Sequence, residues 1–211
     1  MKRLLLALCL WLPLPLLAAP AYVEGRHYFE LALPQPTETG SKVEVREFFW
    51  YGCPHCWQLE PEIDKWLKKM PANAQFVRTP GVGGRWLIHA RAYYAFETLG
   101  ALNRVHVPFF RAMHEQRRPL DTEDALVQFA AENGVDKNKF REAFNSFAVR
   151  VKLDKARQIN TEAGISSVPM LLVDGRYLTS PTAAGGSNSE MLKVVEFLIQ
   201  KVARERKPGK K

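Results

Sequence analysis

Cysteine is nearly absent from this chain. Among 211 residues there are three, Cys9, Cys53 and Cys56, so no framework of disulfides holds the fold together. After residues 4–17 there is no apolar run long enough to span a bilayer. There is no internal repeat and no low-complexity block. Acid is also short, with 22 Asp and Glu against 30 Lys and Arg, a formal net charge of +8. Much of the surplus lies at the end, in Lys201, Arg204, Arg206, Lys207, Lys210 and Lys211. No basic–aromatic motif accompanies it, so no nucleic-acid partner is expected. A solvated, frayed terminus is expected instead, with weak attraction to an anionic membrane surface as the other reading. The remaining composition, 46% hydrophobic and 25% charged, suits a globular chain that buries a core without crosslinks.

The first 21 residues read as a cleaved secretory signal. Lys2 and Arg3 precede the apolar run Leu4–Leu17, and Ala19-Pro20-Ala21 supplies small residues for a cleavage site. Pro13 and Pro15 interrupt the run, which is short for a transmembrane helix. Cys9 would leave with this segment. Leu8 before it is not the small residue that a lipid-modified cysteine would want. Without Lys2 and Arg3, 28 basic residues stand against 22 acidic, a net charge near +6.

Two cysteines then remain, Cys53 and Cys56, separated by Pro54 and His55. A disulfide stabilises chiefly by closing a long loop. A bridge over two residues closes almost none, so this pair points to chemistry rather than to structure. Residues Lys42–Trp50 read as a strand entering the pair, with Val43, Val45, Glu47 and Phe49 on one face. A helix should follow, because Leu59, Ile63, Trp66, Leu67 and Met70 recur at helical spacing. Pro61 should kink it.

A cysteine at the start of a helix meets unpaired N–H groups and the positive end of the dipole. Its thiolate is favoured and its pKa falls. Pro54 suits the first turn, having no N–H to leave unpaired. His55 adds positive charge when protonated. Cys53 is therefore expected as the exposed, reactive sulfur. Cys56, one turn on, is expected to be more buried and to act as its resolving partner. The alternative for Cys-x-x-Cys is half of a zinc site, but that needs a second pair at close spacing. His27, His55, His89, His106 and His114 are scattered, and no metal or cofactor is expected. His89 and His114 read as ordinary helix residues, and His106 as a helix-start or loop residue.

Further along, Tyr28–Leu33 reads as an edge strand and Gln75–Thr79 as a second strand. Gly81, Gly83 and Gly84 mark a break. Residues 85–152 are helical almost throughout, with Trp86, Ala90, Tyr93, Tyr94 and Leu99 as a first apolar stripe. Thr122–Glu132 is a separate helix, Asp136 caps the next, and Phe140, Phe144 and Phe147 are its apolar positions. Met170–Val173 and Arg176–Thr179 flank Asp174-Gly175, a two-residue hairpin signal. Ser187 and Glu190 fit a capping box for a last helix over 188–204. The two ends must share one sheet, so this is an α/β unit split by an all-helical insertion. The divisions expected are 22–82 and 153–205 for the α/β unit, 83–152 for the insertion and 206–211 for a basic tail.

The segment Glu47-Phe48-Phe49-Trp50-Tyr51-Gly52-Cys53-Pro54-His55-Cys56 resembles the DsbA family of periplasmic disulfide oxidases. So do Leu59-Glu60-Pro61, Arg78-Thr79-Pro80, Asn145-Ser146-Phe147-Ala148 and Val168-Pro169. The resemblance implies a thioredoxin fold interrupted by a helical domain and a cis bond at Val168-Pro169. It implies that the loop at Val168 and Pro169 lies beside the cysteines and offers its backbone to an extended substrate. It also implies that Glu47 is a buried acid assisting proton transfer at Cys56. A carboxylate on an apolar face has a raised pKa, although a twist in the strand would leave Glu47 solvated. Glu60 either assists or lies at the surface. The lysine that some relatives keep near the buried acid is missing.

Function follows as expectation: a soluble, monomeric periplasmic protein that gives its Cys53–Cys56 disulfide to reduced or unfolded exported proteins. It would be reoxidised by a quinone-linked membrane oxidase of the DsbB type. A disulfide isomerase or exported reductant of the same fold stays open, as does a chaperone that needs neither cysteine. Residues 22–40 are too short for the dimerisation domain that isomerases of this type usually carry.

Overall fold

The computed structural model describes residues 22–206. The expected signal segment, Cys9 and residues 207–211 lie outside them.

The central strand β2 (Val43–Phe49) is buried along its whole length. Its odd positions are apolar apart from Glu47, and Val43 and Val45 pack against α1 (Pro54–Leu67) and α7 (Asn188–Glu205). Its even positions are covered too. Phe48 packs with Leu172, Leu178 and Ala163, while Arg46 and Glu44 pair with each other at 2.8 Å. A strand covered on both faces loses simple alternation between apolar and polar. That is why the burial of Glu44 and Arg46 is invisible to a count by twos.

β3 (Ala74–Pro80) pairs with β2 in parallel, and β4 (Met170–Val173) pairs with β2 antiparallel. β5 (Tyr177–Thr179) and a two-residue edge strand β1 (Phe29–Glu30) complete a mixed sheet in the order β1-β5-β4-β2-β3. The β4–β5 turn is the expected hairpin. Asp174 and Gly175 have φ of 58° and 66°, as a type I′ turn requires.

Between β3 and β4 lies the helical insertion: a short 3₁₀ turn (Gly84–Trp86), then α2 (Leu87–Thr98), α3 (Leu102–His114), α4 (Glu123–Glu132), α5 (Lys137–Asn145) and α6 (Phe147–Glu162). Caps set several of its boundaries. Thr122, Asp136 and Ser146 each accept from backbone amides at the start of α4, α5 and α6, satisfying donors that the helix itself leaves free. The insertion core reaches down to Phe49, Tyr51, Cys53 and Cys56.

Three expectations are corrected. The boundary drawn at 152 falls inside α6, whose buried positions Val149, Leu153 and Ala156 continue across it without a breaker. Phe147 is not an apolar position of the helix before it. Ser146 ends that helix and caps α6, and Phe147 is 71% exposed. The basic end is not wholly frayed: Lys201 and Arg204 belong to α7. Arg206 donates to Ser41 O at 2.7 Å and to the Asp174 carboxylate.

Candidate active site

β2 delivers the chain to Trp50-Tyr51-Gly52, and α1 begins at Pro54 with Cys53 as its N-cap. Pro54 occupies the first helical position and is exposed, as is His55, whose Nδ1 lies 3.4 Å from Gln58 Oε1. α1 continues past Pro61 to Leu67. Gly52 is needed where it stands, because a Cβ there would meet the Trp50 ring at 2.2 Å.

Both cysteines are free thiols. Cys56 is fully buried, as expected. Cys53 is not the exposed sulfur expected from its position: it is 7% exposed. The loop before β4 covers it. Its thiol donates to Val168 O at 3.4 Å, and the Val168–Pro169 bond is cis. Val168 is half-buried and Pro169 buried. Helical spacing alone puts Cys53 at a helix start, while the family resemblance puts the Val168–Pro169 loop beside it, where the structure has it.

The two sulfurs are electrostatically unequal. Hydrogen bonding from Cys56 lowers the Cys53 pKa to about 6, against the opposing effect of burial. The amides of Cys56 and His55 and the His55 ring help. Burial pushes the Cys56 thiol far up, and its bond to Cys53 and the charge of Glu47 add to this. One sulfur is thus prepared as a thiolate and the other held as a thiol.

Glu47 is fully buried, and burial pushes its carboxyl up to about 8 against the pull of Arg78. Arg78 on β3 donates Nε–H to Glu47 Oε2 at 2.9 Å and Nη2–H to both oxygens of Glu60 at 3.2 and 3.1 Å. Glu60 is therefore a buried member of the site rather than a surface residue. Its pKa falls despite burial, because His106 and Arg78 both donate to it. Arg78 supplies the cation that the missing lysine left in doubt. Its signal in the sequence was a basic residue in a strand candidate, within the Arg78-Thr79-Pro80 segment that resembles the family, and neither gave it this role.

His106 also departs from expectation. It lies inside α3, buried, with Nδ1 2.8 Å from Tyr51 Oη and Nε2 3.2 Å from Glu60 Oε1. Glu60, Arg78 and His106 line a cavity of about 930 Å³ together with Trp57, Phe76 and Tyr93. Among the described residues, no helix is long and apolar enough to cross a membrane.

A thiolate-prone cysteine capping a helix, with a protonated partner one turn below, defines a thiol–disulfide oxidoreductase on a thioredoxin-like sheet. The family model described as DSBA-like thioredoxin domain matches residues 82–194. The thiol:disulfide interchange protein DsbA of Pseudomonas aeruginosa is 39% identical over 194 residues, covering 92% of this chain and 90% of that one. The protein of the same name from Azotobacter vinelandii is 38% identical, covering 86% of each. The crystal structure of Pseudomonas aeruginosa DsbA superimposes with a TM-score of 0.84 at 38% identity, covering 89% of this chain and 97% of that one. The oxidoreductase DsbA from Xylella fastidiosa gives 0.81 at 30% identity, covering 87% and 98%. The chain belongs to the DsbA family, with the thioredoxin fold and helical insertion that the motif implied.

Proposed function

We propose that the protein donates disulfides to reduced exported proteins in the periplasm, with Cys53 as the sulfur that joins the substrate. The unequal preparation of the two sulfurs carries this reading. A substrate thiolate attacks Cys53 Sγ in the Cys53–Cys56 disulfide. The new bond is Cys53–substrate, and Cys56 leaves. Its high pKa demands a proton at once, and Glu47, protonated up to about pH 8, supplies it. The second substrate thiolate then attacks the substrate sulfur and expels Cys53 as a thiolate. The substrate loses two electrons and gains a disulfide, and the pair is left as a Cys53 thiolate and a Cys56 thiol, with Glu47 ionised. Expelling a stabilised thiolate makes this direction favourable.

Reoxidation runs the same chemistry in reverse. Cys53 attacks the partner's disulfide, Glu47 takes the proton from Cys56, and Cys56 resolves the mixed disulfide. A quinone-linked membrane oxidase of the DsbB type is the partner proposed for this step. The Val168 carbonyl lies 3.4 Å from Cys53 Sγ. Once that sulfur is a thiolate or part of a disulfide it has no hydrogen to donate, and the carbonyl is free to accept from an extended substrate backbone. Pro169, beside it, carries no N–H to compete. The protein is proposed to work as a monomer.

The roles are separable. In Cys56→Ser, a peptide disulfide should be captured on Cys53 as a stable mixed disulfide, visible as the added mass. Cys53→Ser should capture none. Capture by Cys56 alone would reverse the assignment.

A further inference from the structure

Two histidines of α3 grip Tyr51, two residues before Cys53. His114 Nε2 donates to Tyr51 O at 2.8 Å, and His106 Nδ1 meets Tyr51 Oη at 2.8 Å. The directions of the hydrogen bonds around His106 follow from chemistry. Glu60 is ionised and can only accept, so Nε2 of His106 carries the hydrogen and donates to it. Nδ1 is then bare and accepts from the Tyr51 hydroxyl. Burial holds His106 below its ordinary range, which keeps this neutral form.

The donors are unevenly shared. Glu60 receives His106 Nε2 and Arg78 Nη2, whereas Glu47 receives Arg78 Nε alone. Glu47 Oε1 is buried without a partner. The titratable and charged groups around His106 are Tyr51 from the turn before α1, Glu60 from α1 and Arg78 from β3. Glu47 of β2 stands behind Arg78, and Tyr93 of α2 donates to Arg78 O at 3.5 Å. Phe49 and Phe110 close the remaining sides with rings 5.3 Å away.

We propose that His106 is a positioning residue of the dithiol site: by fixing Glu60, it keeps the Nη2 end of Arg78 engaged there and leaves Glu47 with one bare oxygen as the group that exchanges a proton with Cys56. The proposal rests on the reading that Glu47 serves Cys56. It gives the helical insertion a part in the redox step as well as in packing. Without His106, Glu60 is held less firmly and Arg78 is free to turn a second donor to Glu47. Glu47 then ionises at lower pH and has no proton to give where the wild type still has one.

The test is the single-turnover reaction of the oxidised protein with a reduced two-cysteine peptide between pH 5 and 9. Rates are taken as the ratio of wild type to variant, which cancels the peptide's own titration. His106→Phe should match wild type near pH 6 and fall at least threefold behind it near pH 8. His106→Gln, which retains an N–H donor for Glu60, should recover most of that loss. Tyr51→Phe removes only the hydroxyl and should show a smaller loss in the same pH range, so the test survives if His106→Phe does not fold. A ratio independent of pH in His106→Phe, or in Tyr51→Phe where that variant must stand in, overturns the proposal. So does a pH-dependent loss that persists undiminished in a Glu47→Gln background. If Glu47→Gln alone leaves the wild-type profile unchanged, it is the reading of Glu47 that fails.

Discussion

Glu47 and Arg78 are register partners in the parallel β2·β3 ladder, and their side chains meet at 2.9 Å. This hydrogen-bonded pair is therefore set by strand pairing, not by flexible side chains finding each other. A one-residue slip would turn either side chain to the opposite face of the sheet.

Breaking this pair from the basic side should be costly. Arg78→Met leaves two buried carboxylates with no cation, which typically loses about 3 kcal/mol. The loss should be larger at pH 9 than at pH 6, because below about 8 Glu47 carries its own proton. Urea denaturation of the reduced protein at both values checks this.

Removing the acid should do the opposite. The folded-state pKa of Glu47 is raised from 4.5 to about 8, so the folded state binds the extra proton between those values. Stability from this group is full below about pH 4.5 and is lost as pH rises through about 8. Glu47→Gln should therefore gain on the wild type progressively across that window and level off above it. A difference between the two proteins that does not vary with pH would contradict the burial of an ionisable group here.

Some of this was legible in the sequence and some was not. β2, α1, the hairpin at Asp174-Gly175 and the caps at Asp136 and Ser187 are local, and short-range chemistry specifies them. Alternation alone put Glu47 on the apolar face. Arg78, Glu60 and His106 could not be assembled in the same way. Their meeting depends on the β2·β3 register and on where the insertion lays α3 against α1. Cys53 looked exposed because the loop that covers it lies 115 residues away in sequence.

His55 should matter through charge. It is exposed, yet it helps to lower the Cys53 pKa. His55→Leu should raise the Cys53 titration midpoint above about 6, read from thiolate absorbance. The pair should become less oxidising by about 30 mV for each tenfold loss of thiolate stabilisation. An unchanged titration would remove His55 from the account.

Gly175 tests the fold independently of the chemistry. Its φ is 66°, and a Cβ there would lie 2.1 Å from Gln35 O. Gly175→Ala should lose more than about 1 kcal/mol of stability, measured by thermal or urea unfolding. The thiol titration should not move, since the hairpin turn lies outside the site.

The most direct test of the central claim is the reduction potential of the Cys53–Cys56 pair, measured by equilibration with glutathione buffers. A donor of disulfides should give a value near or above about −180 mV, in the range of oxidising dithiols. A value near about −270 mV, where thioredoxin lies, would contradict the account. The fold would stand, and electrons would flow the other way.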